Sequence, residues 1–213
     1  EIGEIIALYT KYNSRRKPEL LEPATYGLQH FNEAEKMVVD YNSLVTRAKK
    51  VKGQLPSKAH DAFYQLVQYP VEACANLNEM YVAAGKNRLY GFQNRASTNY
   101  YADKTEELFF KDTVFTNHYH DLANGKWNHM MSQTHMGHTT WSDPAYNKMP
   151  AVSYIQSGNN ANLGYVVEQG VSRFQWMHSG LNSHSFSTFD PVNDQNYYVE
   201  VFNMGTEKLT YTI

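Results

Sequence analysis

Histidine is the residue type that first suggests chemistry in this sequence. The chain contains nine histidines, and His129, His135 and His138 lie close together along it. Imidazole nitrogens are common zinc ligands, so a metal site is one interpretation. However, His118 and His120 would point about 200° apart on a helix, and the helical pair His-Glu-x-x-His is absent. We therefore predict no metal site and no cofactor, and we expect the clustered histidines to form hydrogen bonds within a folded loop.

Neither the acidic residues nor the cysteine forms a catalytic pattern. Glycoside hydrolysis requires two carboxylates about 5–9.5 Å apart, whereas the acidic clusters of this chain fall on predicted helix surfaces or caps. These are Glu33, Glu35, Asp103, Glu106 and Glu107. Cys74 lies on an apolar helix face, which is typical of a small core residue. The sequence has no Gly-x-Ser-x-Gly elbow and no glycine-rich phosphate loop. We predict no catalytic residue in this chain.

Aromatic side chains are abundant and offer a binding chemistry. Seventeen Tyr, ten Phe and three Trp make up 14% of the residues. Sugar rings pack their C–H faces on Trp and Tyr, while amide, imidazole and guanidinium groups bind the hydroxyls. One segment combines these groups, and its candidate substrate-binding residues are Trp127, His129, Gln133, His135 and Trp141. The alternative is that Trp127 and Trp141 attach this segment to the rest of the protein.

Two arginines, Arg88 and Arg95, extend the sugar-binding hypothesis to an acidic sugar. A guanidinium group is planar and can bind both oxygens of a carboxylate at once. A uronate carries such a carboxylate. We therefore include both arginines among the candidate substrate-binding residues.

Apolar periodicity predicts that helices over residues 1–150 position these side chains. Asn32 precedes apolar residues spaced by three and four, which predicts a capped helix from there to Gly53. Another helix is predicted from about residue 97 to 122. Antiparallel helices joined by short turns form a helical bundle.

Between these two helices, a further helix is predicted to begin near Pro56 and to bend at Pro70. The bend is expected because a proline ring displaces the carbonyl group four residues earlier. The apolar face of this helix includes Leu66 and Leu77. If both leucines lie in the core, replacing either by alanine should lower the stability by about 2–5 kcal/mol.

The helical period disappears between residues 124 and 150, where glycine, asparagine and proline recur among Trp127, Trp141 and Tyr146. This pattern predicts a long aromatic loop. Loops of more than about 15 residues in a compact protein are usually functional or packed on another surface.

After residue 150 the pattern changes to the period of two that is typical of strands. The predicted strands are 151–156, 164–168, 171–177, 197–203 and 209–213, with the last two paired as a hairpin. A single sheet needs a partner face, so we predict a partial antiparallel β-sandwich. The fold class is therefore α+β: an antiparallel helical bundle over 1–150, followed by an incomplete β-sandwich domain over 151–213.

Charge and hydropathy exclude several function classes. Nineteen basic and 21 acidic residues give a net charge of -2, which does not favour binding to nucleic acid. No apolar run approaches the roughly 18 residues that span a membrane. The chain starts in the middle of a predicted helix and stops after a strand-like alternation, so we expect it to be a piece of a longer polypeptide.

Several long runs of this sequence resemble glycoside hydrolase family 115, the xylan α-1,2-glucuronidases. The runs are 14–19 (SRRKPE), 61–67 (DAFYQLV), 69–78 (YPVEACANLN), 81–90 (YVAAGKNRLY), 125–131 (GKWNHMM), 133–137 (QTHMG), 147–150 (NKMP), 189–191 (FDP) and 199–205 (VEVFNMG). They extend over nearly the whole chain. One departure is His138, which stands where the family pattern has an aromatic residue after Gly137.

The resemblance implies an enzyme with a (β/α)₈ catalytic barrel, a helical bundle and a C-terminal β-sandwich. The family removes glucuronic or 4-O-methylglucuronic acid side chains from xylan. Its catalytic carboxylates belong to the barrel, so none is assigned to a position in this chain. The implied partners are an upstream barrel of the same polypeptide, xylan-derived glucuronic acid side chains and a second copy in a homodimer. The implied location is secreted or periplasmic. The alternative is a free-standing carbohydrate-binding or interaction module.

Overall fold

The computed structural model describes residues 1–29, 31–167, 186, 188–208, 210 and 212. Its helices are α1 (Ile2–Asn13), α2 (Glu33–Gln54), α3 (His60–Phe63), α4 (Tyr69–Phe92) and α5 (Thr98–Gly125), and its strands are β1 (Leu163–Val167) and β2 (Val199–Asn203). The described residues are thus mostly helical with a small antiparallel sheet, which confirms the α+β class. A β-sandwich is not shown by this part of the chain. No helix among the described residues is long and apolar enough to cross a membrane.

The long helices pack antiparallel to one another. Lys49 near the end of α2 pairs with Glu72 near the start of α4, at 3.1 Å. Asn42, earlier in α2, donates to Glu79 later in α4, at 3.2 Å. The short connection from α4 to α5 makes these two helices antiparallel as well, and Asn76 of α4 bonds to α5. The predicted antiparallel bundle is therefore present.

The core of the bundle lies between α2, α4 and α5. Its fully buried side chains include Met37 and Tyr41 of α2 and Met80 of α4. Met136, from the loop after α5, completes the same cluster. Burial of a side chain of this size stabilises the folded state by about 1.5–3 kcal/mol. Through Met136, the loop therefore contributes to the stability of the bundle.

The helix predicted from Asn32 is confirmed, but its start is capped in another way. Asn32 has a left-handed backbone with φ 50° and makes no side-chain cap bond. Instead, the N–H of Ala34 in the first turn donates to the carbonyl of Gly27 at 3.1 Å. The carboxylate of Glu33 also accepts a 2.7 Å bond from the N–H of Gly27, so both bonds tie the preceding segment to the start of α2.

The helix around Pro70 differs from the prediction in which of its residues face the core. Residues Tyr64–Gln68 form one π-helical turn between α3 and α4. A π turn holds an extra residue and accommodates the missing N–H of Pro70, which explains why the helix continues through the proline. The turn also rotates the buried face, so Leu66 is 70% exposed whereas Leu77 is 5% exposed. Placing Leu66 in the core was wrong.

The predicted strand at 151–156 is an extended segment bound to asparagine side chains. Asn87 of α4 accepts from the N–H of Ser153 and donates to its carbonyl, both at 2.8 Å. Asn99 of α5 makes the same pair of bonds with Ile155, at 2.9 and 3.1 Å. The backbone groups of Ser153 and Ile155 are thus satisfied without a neighbouring strand, and the segment joins no sheet of the described residues. The domain boundary at residue 150 stays a prediction.

The sheet of the described residues pairs β1 with β2. The antiparallel register places Tyr165 opposite Val201 and Val167 opposite Val199. The predicted strands at these two positions are confirmed. The hairpin between 197–203 and 209–213 is not formed by the described residues, and the predicted strand 171–177 lies outside them.

Glu79 gives the bundle a testable dependence on pH. Burial alone would raise the pKa of Glu79, but hydrogen bonds from Lys104 and Asn42 and the charge of Lys104 lower it below its ordinary value of 4.5. The stability that comes from a lowered carboxyl pKa is present above the ordinary value and disappears as the pH falls through the folded-state value. We expect Glu79→Gln to reduce the free energy of unfolding by about 1 kcal/mol at pH 7 and by much less at pH 3.

Urea unfolding at the two pH values measures this difference. Glu107 is exposed on the neighbouring helix α5, and Glu107→Gln is the matched control with no expected effect. A Glu79→Gln deficit of the same size at both pH values would contradict the assigned carboxylate pairing.

Candidate functional site

The aromatic loop, residues 126–149, is anchored to the bundle by a buried carboxylate. Asp112 of α5 is only 2% exposed, and its two oxygens lie 2.9 and 3.1 Å from Nδ1 of His135. A buried carboxylate is tolerated when it is hydrogen-bonded. Because both contacts use Nδ1, the Asp112 carboxylate fixes the orientation of the His135 ring. His135 is therefore a structural anchor of the loop.

The base of the aromatic loop is held by Asn147 and Met136. The side-chain oxygen of Asn147 accepts the backbone N–H groups of His135 and Met136, at 2.7 and 3.1 Å. Gly137 follows with φ +92°, a conformation that favours glycine. A Cβ atom there would also lie 2.7 Å from Cβ of Lys148. The two ends of the loop are thus locked together over the core.

The two tryptophans of the loop have opposite environments. Trp127 packs against the aromatic cluster of Tyr64, Tyr69 and Tyr119, so it attaches the loop to the bundle. Trp141 is fully exposed. Of the two tryptophans, Trp127 therefore attaches the loop to the bundle, as the alternative interpretation predicted for both. Trp141 does not, because its ring is exposed to solvent.

Hydrogen bonds make the tip of the loop around Trp141 a defined surface. Asp143 accepts from Nε2 of Gln133 at 3.0 Å and contacts Nε2 of His138 at 3.3 Å. Thr134 donates to the carbonyl of Pro144 at 2.7 Å. Each of these bonds joins a residue that precedes Trp141 to one that follows it. The indole ring is therefore exposed on an ordered support rather than on a loose chain.

The remaining histidines confirm the expectation that they form hydrogen bonds within the folded loop. His129 lies in a left-handed conformation with φ 69°, and its Nδ1 is 3.4 Å from Oγ of Ser132. Nε2 of His120 accepts the backbone N–H of Met131 at 3.1 Å. Among the residues that the structure describes, no three potential metal ligands are grouped around a common point.

Arg95 is buried, 3% exposed, and is bound by a carboxylate of this chain. Its Nη1 and Nη2 donate to the two oxygens of Glu200 in β2, at 2.6 and 2.8 Å. The guanidinium carbon lies 4.2 Å from the ring centroid of Tyr90 and 4.0 Å from that of Phe202. The planar fork proposed for a uronate is thus filled by Glu200, and it joins the sheet to the bundle.

Arg88 lies in a different place, at an open cleft beside the second half of α4. It is exposed and makes no hydrogen bond or ion pair with the described residues. The structure therefore separates the seven candidate residues into three groups. Five lie on the aromatic loop, Arg95 lies under the sheet, and Arg88 lies at the cleft.

Asp112 and Asn147, which position the loop, were missed by the sequence reasoning. Asp112 lies on the buried face of α5, after Thr105 and Leu108 and about two turns before Tyr119. An acidic residue in an apolar helical stripe was the available signal, since it demands a polar partner. Asn147 carried no such signal, because its partners are backbone groups eleven and twelve residues away.

Comparisons with known proteins give limited further information. No family model matches this sequence, and no curated protein matches it. Among solved structures, the chain is similar to a family GH115 4-O-methyl-α-glucuronidase, BtGH115A, with specificity for decorated arabinogalactans. The TM-score is 0.47 at 20% identity, and the match covers 80% of this chain and 24% of that one. The chain thus spans about a quarter of the length of that protein.

Proposed function

We propose that this chain is a non-catalytic, saccharide-contacting part of a glycoside hydrolase that resembles the xylan α-1,2-glucuronidases. The hydrolase part of the proposal depends on the sequence runs that resemble that family. Under this proposal, the catalytic carboxylates belong to an upstream barrel of the same polypeptide. The bundle supports that barrel and lies next to its glucuronic acid-bearing substrate, in a secreted or periplasmic enzyme that forms homodimers.

The observation that carries the saccharide contact is the exposure of Trp141 on a braced loop. Tryptophan combines a large apolar ring with a polar N–H and is enriched at binding interfaces, which favours a contact at this exposed ring. Trp127 of the same loop is already packed on the bundle. Gln133, one of the predicted sugar-binding residues, lies beside the tip through its bond to Asp143. Trp141 is therefore the ring on which we expect a sugar to stack.

We expect the 213-residue chain to bind xylohexaose and an aldouronic acid weakly, with a dissociation constant of about 1 mM. Trp141→Ala should weaken binding by about tenfold, equal to about 1.4 kcal/mol, because an aromatic anchor usually dominates such a surface. Isothermal titration calorimetry measures both constants. The chain alone should release no glucuronic acid during the titration.

Tyr100→Ala is the control, since Tyr100 is an exposed aromatic residue on α5 rather than on the loop. Equal weakening by both variants, or an unchanged dissociation constant in Trp141→Ala, would contradict the proposed contact. The alternative function, a free-standing carbohydrate-binding module, is favoured by the presence of the braced ring within this chain. Micromolar affinity in the chain alone would support that alternative.

A further inference from the structure

The cleft at Arg88 is a second candidate binding site, and it shares no lining residue with the aromatic loop. It has a volume of about 640 Å³ and opens between residues 23–29, the second half of α4 and residues 153–155. That volume is within the range of small-molecule sites in proteins. Apolar groups dominate the lining, which includes Tyr26, Leu28, Leu89, Phe92 and Ile155.

The walls of the cleft are fixed by contacts within the chain. Gly85 of α4 lies against the loop so closely that a Cβ atom would be 2.4 Å from the carbonyl oxygen of Pro23. The N–H of Gly27 is held by Glu33, as described above. On the other wall, the Asn87 and Ser153 bonds attach the extended segment to α4. The cleft is therefore preformed, which lowers the entropic cost of binding.

Few polar groups in the cleft are available to a ligand. The Asn87 amide is fully used, because its oxygen accepts from Ser153 and its nitrogen donates to Ser153 and Thr98. Apart from Asn87, the polar side chains of the lining are those of Tyr26, Gln29, Arg88 and Ser153, and of these lining residues Arg88 carries the only charge. A sugar ring with several hydroxyls would lose more hydrogen bonds to water than this lining replaces.

Arg88 sets the charge of the ligand. Arg88 is exposed, belongs to the residues that line the cleft, and is not neutralised by a carboxylate of the described residues. A single planar guanidinium matches one carboxylate, which it can bind through two parallel hydrogen bonds. This arrangement is complementary to one negative charge on an otherwise apolar molecule.

We propose that the cleft binds a small monocarboxylate with an apolar ring, which packs against Tyr26 and Phe92 while its carboxylate pairs with Arg88. As in the sequence-based hypothesis, Arg88 binds a carboxylate of the ligand. The rest of the ligand is an apolar ring instead of a sugar. This inference is independent of the saccharide contact at Trp141, since the two surfaces share no residue.

The test is calorimetric titration of the full chain with three probes: 2-naphthylacetate, its neutral analogue 2-(2-naphthyl)ethanol, and glucuronate. We expect 2-naphthylacetate to bind at least tenfold more tightly than either of the others. Arg88→Gln should weaken 2-naphthylacetate about tenfold and leave the neutral analogue unchanged. Arg88→Lys, which keeps the charge without the planar fork, should give an intermediate affinity.

Arg47→Gln is the matched control, because Arg47 lies on α2, outside the cleft lining, and its removal changes the net charge equally. It should leave all three affinities unchanged. The proposal is overturned if glucuronate binds as tightly as 2-naphthylacetate, if the neutral analogue binds equally well, or if Arg88→Gln and Arg47→Gln have equal effects. Absence of 2-naphthylacetate binding at millimolar concentration also overturns it.

Discussion

Leu77→Ala is expected to lower the free energy of unfolding by about 2–5 kcal/mol. Leu77 is 5% exposed and belongs to the core cluster that also contains Tyr41 and Met80. The substitution removes buried methyl groups and leaves a cavity, and both effects destabilise the folded chain. Urea unfolding followed by circular dichroism gives the difference.

Leu66→Ala is the matched substitution on the neighbouring π-helical turn, and we expect it to change stability by less than about 0.5 kcal/mol. The same atoms are removed, but Leu66 is already mostly in contact with solvent. Comparable losses at Leu66 and Leu77 would show that the helix does not change phase before Pro70. The pair therefore tests the position of the π turn as well as the core.

Glu200→Ala is expected to lower the free energy of unfolding by about 2–3 kcal/mol. The substitution leaves the buried guanidinium of Arg95 without its carboxylate, between the rings of Tyr90 and Phe202. Because Glu200 itself is partly exposed, the expected loss is below that of a fully buried ion pair. The junction between the sheet and the bundle should open first.

Hydrogen exchange at Ala96 reports on this junction, because its N–H donates to the carbonyl of Asn203 in β2 at 2.8 Å. Its protection should fall in Glu200→Ala, whereas Glu207→Ala, at an exposed position after β2, should have no effect. The double variant Arg95→Met with Glu200→Ala should regain part of the stability, since no buried charge is then left unpaired. A lower free energy of unfolding in the double variant than in Glu200→Ala would contradict the ion-pair explanation.

Regular periodicity made much of the bundle predictable. Apolar spacing of three and four identifies the buried face of a helix directly, and α2 follows it at Met37, Tyr41, Leu44 and Ala48. The same pattern failed near Pro70, because it assumes a constant number of residues per turn. One π turn changed that number, and Leu66 left the core as a result.

The candidate site was predictable in composition but not in arrangement. Trp127 and Trp141 are the same residue type in one loop, yet the first is packed on the bundle and the second is exposed. The sequence also offered no reason to distinguish Arg88 from Arg95. In the structure Arg95 is bound by Glu200, which lies over a hundred residues away in the chain. Burial in a loop depends on contacts between distant residues, and no local spacing encodes those contacts.

The amino-acid sequence by itself determined the α+β class, the helices of the bundle and the presence of a long aromatic loop. These features follow from local periodicity and turn residues, which act between near neighbours in the chain. Only the tertiary structure decided that residues 151–156 bind Asn87 and Asn99 instead of a strand, that β1 pairs with β2, and that Glu200 binds Arg95 while Arg88 has no ion pair with the described residues. Each of these results depends on which distant group satisfies a hydrogen bond or a charge, and that choice is made when the chain packs.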